Sequence, residues 1–132
     1  MKNYRILIVE DEPNLNELLS YNFKKVGFEV RSASNGMKAM RLLRAYHPDV
    51  ILADIMMPDM DGIKMCRELK KIKTHKDIPV IFLSGISDDY RLLSAMEAGA
   101  VDFVSKPVSI PFLLEMVNSA IKDSGEDPEL LL

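Results

Sequence analysis

Short apolar runs alternate with segments of helical periodicity along almost the whole chain, and this alternation limits the fold more than any other feature. The runs have the length of strands, and the segments between them repeat apolar residues at the spacing of amphipathic helices. Alternating strands and helices form a parallel sheet with helices on its faces. The predicted strands are Arg5 to Val9, Glu29 to Ala33, Val50 to Asp54, Val80 to Leu83 and about Asp102 to Val104.

Right-handed crossovers between successive strands determine how these elements connect. We predict an α/β fold: a (βα)5 doubly wound, parallel five-stranded sheet of order 2-1-3-4-5, in which the first and third strands are central. Residues that start and stop helices bound the segments between strands. The predicted helices are Pro13 to Val26, Gly36 to Tyr46, Gly62 to about Ile72, a helix capped by Ser87 and ending at Ala98, and one capped by Ser109 from Ile110 to Lys122.

The length of 132 residues, 48% of them apolar, suits one domain with one core. We expect this domain over residues 1–123 and a flexible tail or truncated linker over 124–132. Because no apolar run is long enough for a membrane span or a signal peptide, we expect a cytoplasmic protein. The single cysteine, Cys66, is predicted to be a buried apolar residue in a reducing compartment.

The formal net charge of −3 argues against direct binding to nucleic acid, which needs a concentrated basic surface. One local exception is a basic cluster in the second half of the third predicted helix and the turn after it. It is either a solvated face or a docking patch. Its members are Lys64, Arg67, Lys70, Lys71, Lys73 and Lys76.

Acidic residues close two of the predicted strands. Glu10 and Asp11 follow the first strand, and Asp54 ends the third. If these central strands end on the same edge of the sheet, the carboxylates converge and repel one another unless a cation neutralises them. Oxygen ligands favour Mg²⁺. The alternative is that Glu10, Asp11 and Glu12 merely cap the helix beginning at Pro13, and that Asp54 begins a turn.

The later strand ends offer partners for a phosphoryl group on Asp54. Ser84 supplies a hydroxyl, Gly85 leaves room for approach, and Lys106 supplies a positive charge. A metal, a hydroxyl and an ammonium group would give one partner to each phosphoryl oxygen, with Asp54 as the attacking carboxylate. The first turn, Glu10 to Pro13, is acidic rather than glycine-rich, which disfavours flavin and dinucleotide binding. Taken alone, Ser84 could be an ordinary strand-ending hydroxyl and Lys106 a surface amine.

Four short motifs follow the predicted strands in order: Val9-Glu10-Asp11, Asp54-Ile-Met-Met-Pro-Asp-Met-Asp-Gly62, Ser84-Gly85 and Lys106-Pro107. With these motifs in this order, the chain from Arg5 to about Lys122 resembles the receiver domain of bacterial two-component response regulators. The resemblance implies a flavodoxin-like fold similar to that of chemotaxis regulators.

The resemblance implies that Asp54 is the phosphoacceptor and that a sensor histidine kinase or histidine phosphotransfer protein is the donor. It implies that Asp11, Asp54 and the backbone carbonyl of Met56 hold Mg²⁺, with Glu10 acting through water. By the same likeness Lys106 pairs with the phosphoryl group, and the bond from Lys106 to Pro107 is cis. His47 and His75 match no family motif and are expected at the surface.

The resemblance also implies a switch, in which Ser84 moves inward on phosphorylation and Phe103 fills the space behind it. The output face would be the fourth helix, fifth strand and fifth helix, acting on an output domain or a target protein. Phe103 could instead be a plain core residue. No output domain is visible, so we expect either a stand-alone receiver or a fragment of a longer protein. A homodimer is possible. However, the residues at Asp102 and Lys122 differ from those typical of the dimer that winged-helix regulators form.

Three alternatives differ in class. A phosphatase of the haloacid dehalogenase type needs an aspartate two residues after the nucleophile, where this chain has Met56. A calcium-binding loop would use Asp59, Asp61, Gly62 and Glu68, but its first ligand would be Met57, a poor Ca²⁺ ligand. A degenerate receiver would dock partners without chemistry, although every position needed for phosphorylation is filled.

Overall fold

The computed structural model describes residues 3–85 and 91–124. Five parallel strands form one sheet in the order β2-β1-β3-β4-β5, as predicted. Strand pairing continues from one edge to the other without a break, which leaves β1 and β3 as central neighbours. The strands are β1 (Arg5–Val9), β2 (Glu29–Ala33), β3 (Val50–Asp54), β4 (Val80–Ser84) and β5 (Asp102–Ser105).

Within the described ranges five helices connect and follow the strands, and two of them end earlier than predicted. Beyond α2 and α3 the backbone N–H groups of Arg44, Ala45, Lys71 and Ile72 donate to carbonyls three residues back rather than four. The chain therefore leaves the α-helix in tight turns that periodicity alone cannot distinguish from helix. The helices are α1 (Pro13–Lys25), α2 (Gly36–Leu43), α3 (Gly62–Lys70), α4 (Leu92–Glu97) and α5 (Ile110–Asp123).

The predicted helix caps have mixed outcomes. Ser109 occupies the N-cap position of α5, as predicted, although its side chain makes no hydrogen bond to the helix. Ser87 lies outside the described residues, as do residues 125–132 of the predicted tail. Gly27 and Gly99 follow α1 and α4 with φ of 101° and 106°, the conformation in which glycine ends a helix.

Alternate residues of the central strands face opposite sides of the sheet, and each side has its own apolar core. Leu7, Ile51 and Phe82 pack with α2, α3 and α4. Ile6, Leu52 and Ile81 pack with α1 and α5. Cys66 is fully buried in the first core, as predicted, and burial raises the pKa of its thiol.

His75 corrects one prediction. Its side chain is buried rather than at the surface, because the turn after α3 folds back toward the end of α2. Its Nδ1 lies 2.8 Å from Thr74 Oγ1, and its Nε2 lies 3.2 Å from the carbonyl oxygen of Tyr46. His47 is exposed, as expected, with its ring 4.9 Å from that of His75. Both ring nitrogens of His75 have partners, which is how a buried histidine is satisfied.

The strand register brings the predicted site together. Val9 pairs with Ala53, so Glu10 and Asp54 follow neighbouring positions at one edge of the sheet. Ser84 pairs with Ser105, so Lys106, the next residue, lies beside the end of β4. None of the helices in the described ranges is long and apolar enough to span a membrane.

Candidate functional site

Three carboxylates meet at the carboxyl edge of the sheet. Each of Glu10, Asp11 and Asp54 offers an oxygen, and these oxygens lie within 4.8 Å of one another. Glu10 and Asp54 are buried, with 1% and 5% of their surface exposed, whereas Asp11 faces solvent. A group this compact repels itself in a partly desolvated setting, so it favours a cation.

The local backbone turns Glu10 inward. Its N–H donates to Ala33 O at 3.0 Å, its carbonyl accepts from Asn16 Nδ2 at 3.0 Å, and its Oε2 accepts from the N–H of Glu12 at 3.0 Å. Glu12 stands at the N-cap of α1 without a side-chain capping bond. The alternative interpretation, in which the side chains of Glu10 and Glu12 only cap α1, therefore does not hold for these two residues. The Glu10 carboxylate belongs to the site.

Lys106 reaches the carboxylates from the end of β5. Its Nζ lies 3.0 Å from Asp54 Oδ2 and 3.1 Å from Glu10 Oε1. The bond from Lys106 to Pro107 is cis, as predicted, and the backbone N–H of Lys106 donates to Ser84 O at 2.7 Å. With 26% of its side chain exposed, Lys106 is a site residue and not an ordinary surface amine.

Burial dominates the electrostatics of the site. It raises the pKa of Glu10 from 4.5 to about 7, with the charge of Asp54 adding to the shift. It also raises the pKa of Asp54, against the opposing hydrogen bond and charge of Lys106. Burial lowers the pKa of Lys106, but the bond and charge of Asp54 and the charge of Glu10 outweigh it, so the net direction is upward. The single ammonium group of Lys106 thus lies at ion-pair distance from two of the three carboxylates, those of Glu10 and Asp54.

The arrangement fits a small divalent cation. Glu10 Oε1 is buried and accepts no hydrogen bond from the described residues, although it lies at ion-pair distance from Lys106. All the side-chain donors in the group are oxygens, the ligands that Mg²⁺ prefers. A cation at Asp11 and Asp54 would offset the desolvation that raises the pKa of Asp54.

The remaining predicted residues lie at the end of β4, in the loop after Asp54 and on β5. Ser84 is buried at the end of β4, and Gly85 follows it. Met56 lies two residues after Asp54 in the loop to α3, where its side chain is 45% exposed. Phe103 lies opposite Phe82 in the sheet and is half-buried against the core beneath α2, α3 and α4.

The calcium-binding alternative finds no support in the described residues. Asp61 caps α3, with Oδ1 accepting the Lys64 N–H at 2.8 Å, and its other oxygen lies 3.7 Å from Arg91. Met57 is buried with 9% exposure, and Glu68 pairs with Lys71 on the surface of α3. The carboxylates of this loop are therefore occupied by structural contacts.

Sequence reasoning missed two asparagines that hold the loops of the site. Asn16 Nδ2 donates to Glu10 O and, at 3.3 Å, to Ala33 O, which ties together the ends of β1 and β2. Asn35 Nδ2 donates to Asp59 Oδ2 at 3.4 Å. An asparagine before Gly36 is a recognisable helix cap, but nothing in the local pattern indicates its partner 24 residues away.

Comparison with known proteins agrees with this geometry. Residues 6–118 match the family described as response regulator receiver domain. The chain is 41% identical over 118 residues to the regulatory protein AtoC of Escherichia coli K12, covering 89% of this chain and 25% of AtoC. The curated relatives it matches are longer, and the chain spans 25% to 55% of their length.

Two solved structures share the fold. The receiver domain of a signal transduction histidine kinase from Syntrophus aciditrophicus is 37% identical, with a TM-score of 0.84 and 91% of each chain covered. The receiver domain of a sensor histidine kinase from Pseudomonas aeruginosa PAO1 is 25% identical, with a TM-score of 0.85 and coverage of 92% and 99%. That second structure has a magnesium ion coordinated in its active-site cleft.

Proposed function

Because this chain belongs to the response regulator receiver domain family, whose members are signalling domains of two-component systems, we propose that Asp54 accepts a phosphoryl group from a phosphohistidine. The observation that carries the proposal is the position of Lys106, whose Nζ lies 3.0 Å from Asp54 Oδ2 and 3.1 Å from Glu10 Oε1. A fixed cation beside a buried carboxylate is suited to the charge that phosphoryl transfer spreads over three oxygens.

The transfer is a displacement at phosphorus. An oxygen of Asp54 forms the new P–O bond while the P–N bond of the phosphohistidine breaks and its electron pair returns to the imidazole nitrogen. Lys106 binds a phosphoryl oxygen, and the Ser84 hydroxyl donates to another. The domain then catalyses only its own phosphorylation and dephosphorylation, since Met56 cannot act as the acid or base of a phosphatase.

We assign Mg²⁺ to Asp11, Asp54 and the backbone carbonyl of Met56, with Glu10 contributing through water. Magnesium at this position would neutralise the approaching phosphoryl oxygens. The compact carboxylate group and the buried oxygen of Glu10 support the assignment. The magnesium in the related Pseudomonas aeruginosa receiver domain supports it independently.

The phosphoryl donor is proposed to be a sensor histidine kinase or a histidine phosphotransfer protein in the cytoplasm. A groove of about 410 Å³ lies beside Lys106, lined by Leu15, Leu18, Pro107 and Val108. Leu18 is 50% exposed there although it is apolar. An apolar groove next to Lys106, which contacts Asp54, is suited to a donor helix that presents its phosphohistidine.

The output surface is proposed to be α4, β5 and α5, acting on an output domain or a target protein. Leu93, Met96 and Val101 are 70%, 42% and 49% exposed along α4 and the approach to β5. The half-buried Phe103 lies on β5, next to the strand that ends at Ser84, and it packs against the core that includes Ala95 of α4. Phosphorylation would draw Ser84 inward and shift Phe103, which biases the packing of α4.

Intact mass after incubation with acetyl phosphate and Mg²⁺ tests the proposal. We expect a gain of one phosphoryl group that is lost in Asp54→Asn and in the presence of a chelator. Asp77→Asn is the matched control, because Asp77 is exposed and lies beside Pro79 before the start of β4, away from the site. Normal labelling of Asp54→Asn would overturn the assignment of the acceptor.

A further inference from the structure

The junction between β2 and α2 reaches across to the loop between β3 and α3. Asn35, with 9% of its surface exposed, caps α2 by accepting the Lys38 N–H on Oδ1 at 2.9 Å. Its Nδ2 donates in a different direction, to Asp59 Oδ2 at 3.4 Å. One side chain therefore joins the start of α2 to the loop that follows Asp54.

Gly36 adds a close backbone contact at the same place. A Cβ atom at Gly36 would lie 2.6 Å from the carbonyl oxygen of Met60 and 3.0 Å from Met60 Cγ. Gly36 is not among the glycines with positive φ, so the space taken by Met60, and not the backbone conformation, requires glycine here. Asn35 and Gly36 together form what we call the α2 clamp.

The clamp contacts a strained part of the loop. Asp59 has φ of 69° and is the one non-glycine residue with positive φ among residues 3–85 and 91–124. The Met60 N–H donates to Pro58 O at 2.9 Å, an i to i+2 bond typical of a γ-turn, whose positive-φ form is rare. Such conformations persist only where the surroundings hold them, and the α2 clamp contacts both Asp59 and Met60.

The beginning of the same loop is also held. The Ile55 N–H donates to Leu83 O at 3.3 Å, and Ile55 O accepts the Gly62 N–H at 2.9 Å. Met56 follows Ile55 directly, and Asp59 comes three residues later. With Ile55 fixed, a shift at Asp59 has to be absorbed by the backbone of residues 56–58.

We propose that the α2 clamp positions the loop for Mg²⁺, so that Asn35 is a positioning residue that acts through Asp59 on the carbonyl of Met56. The inference rests on the proposed function, because it takes that carbonyl as a metal ligand. Among the described residues the Asn35 side chain bonds to Lys38 and Asp59 and not to the site carboxylates. Its contribution is to keep a strained turn in the one arrangement in which the ligand set is complete.

Asn35→Asp tests the clamp without removing the helix cap. The new side chain keeps an oxygen for the Lys38 N–H, but it replaces the donor to Asp59 by a second carboxylate. Changes outside the first ligand shell typically weaken metal binding by roughly 10- to 100-fold, and because Asn35 acts through the backbone we expect about 10-fold weaker Mg²⁺ binding. The dissociation constant is measured by NMR titration of backbone amides with Mg²⁺.

A charge-matched control and an exchange variant distinguish the loss of the bond between Asn35 and Asp59 from the effect of an added negative charge. Asn22→Asp adds the same charge on α1, where the Asn22 amide donates to Leu18 O at 2.9 Å, and it should leave Mg²⁺ binding unchanged. In Asn35→Asp/Asp59→Asn the donor and the acceptor exchange places, so most of the lost affinity should return. Thermal unfolding without Mg²⁺ verifies that each variant is folded.

The outcomes distinguish this inference from the proposed function. Unchanged Mg²⁺ affinity in Asn35→Asp, or a loss that the exchange variant does not recover, overturns the clamp. If Asn35→Asp weakens Mg²⁺ binding and the exchange restores it while Asp54 takes no phosphoryl group, the clamp stands and the phosphoacceptor assignment fails. If the unaltered protein binds no Mg²⁺, both fail.

Discussion

The ionisation of Glu10 is linked to folding. Burial raises the pKa of its carboxyl group from 4.5 to about 7, so the folded protein holds this proton more tightly than the unfolded chain does. The resulting stabilisation is fully present below about pH 4.5 and is lost as the pH rises through about 7. Below that range Glu10 is neutral in both states, and above it the buried charge is a cost.

Glu10→Gln should therefore be more stable than the unaltered protein at about pH 8 without divalent cations. Since one pKa unit corresponds to about 1.4 kcal/mol, we expect a difference on the order of 1–3 kcal/mol in the free energy of unfolding. The difference should shrink toward pH 4.5. Urea unfolding measures it, with Glu17→Gln on the exposed side of α1 as control. A difference independent of pH would contradict the linkage.

We propose that Lys106 connects phosphorylation of Asp54 to the switch at Ser84 and Phe103. In Lys106→Ala two buried carboxylates lose their only ammonium partner among the described residues, which raises the pKa of both still further. Removing one stabilising donor typically costs about 10²- to 10³-fold in rate, so labelling by acetyl phosphate should slow by about 10²-fold.

The same variant, once phosphorylated, should leave the NMR signals of Phe103 where they are in the unphosphorylated protein. Lys122→Ala, on the exposed face of α5, is the matched control. Equal labelling rates for Lys106→Ala and Lys122→Ala would exclude a role for the ammonium group in transfer.

Among the elements, the junction of β3 with α3 depends on a glycine that touches the acceptor strand. A Cβ atom at Gly62 would overlap Asp54 O and would lie 2.7 Å from Phe82 Cε1. Gly62→Ala should therefore displace the loop, lower the free energy of unfolding by roughly 1–3 kcal/mol and reduce the labelling of Asp54.

Gly27→Ala provides the comparison for Gly62→Ala. Gly27 has φ of 101°, and a Cβ added there would meet no atom within 4 Å. Alanine at this position should therefore lower the free energy of unfolding through its backbone conformation alone, by roughly 1–2 kcal/mol. It should lose stability but keep normal labelling. If both variants label equally well, close packing at Gly62 does not position Asp54.

The groove between α1 and the end of β5 is the element that should recognise the donor. Leu18→Asp places a charge in this groove, so transfer from a phosphohistidine protein should slow by at least about tenfold, the effect of 1.4 kcal/mol at an interface. Labelling by acetyl phosphate, which needs no docking, should not change. Leu93→Asp on α4 is the control, because Leu93 is 70% exposed and lies on the proposed output surface. Equal transfer rates for the two variants would rule the groove out.

At the scale of the whole molecule, the sheet order and the gathering of Glu10, Asp11, Asp54 and Lys106 could be predicted from the sequence. Strand ends of a parallel sheet share one edge, so residues placed after strands converge whatever the details of packing. The ends of α2 and α3 could not be predicted, because periodicity continues into tight turns that lack α-helical bonds.

Contacts between distant segments were also beyond prediction. His75 is buried by the fold of a polar turn against Tyr46, and no local pattern marks it. The bond between Asn35 and Asp59 joins segments 24 residues apart, and the positive φ of Asp59 arises where a proline and two acidic residues indicate only a loop. Such features depend on which surfaces meet after the sheet has formed.

Chemical mapping of the modified residue tests the assignment of Asp54 most directly. The protein is phosphorylated by a phosphohistidine donor and treated with borohydride, which reduces an aspartyl phosphate to homoserine, and peptide mass spectrometry then locates the change. We predict homoserine at position 54 alone, dependent on Mg²⁺. Homoserine at position 11, or a phosphoryl group that remains on another residue, would contradict the assignment.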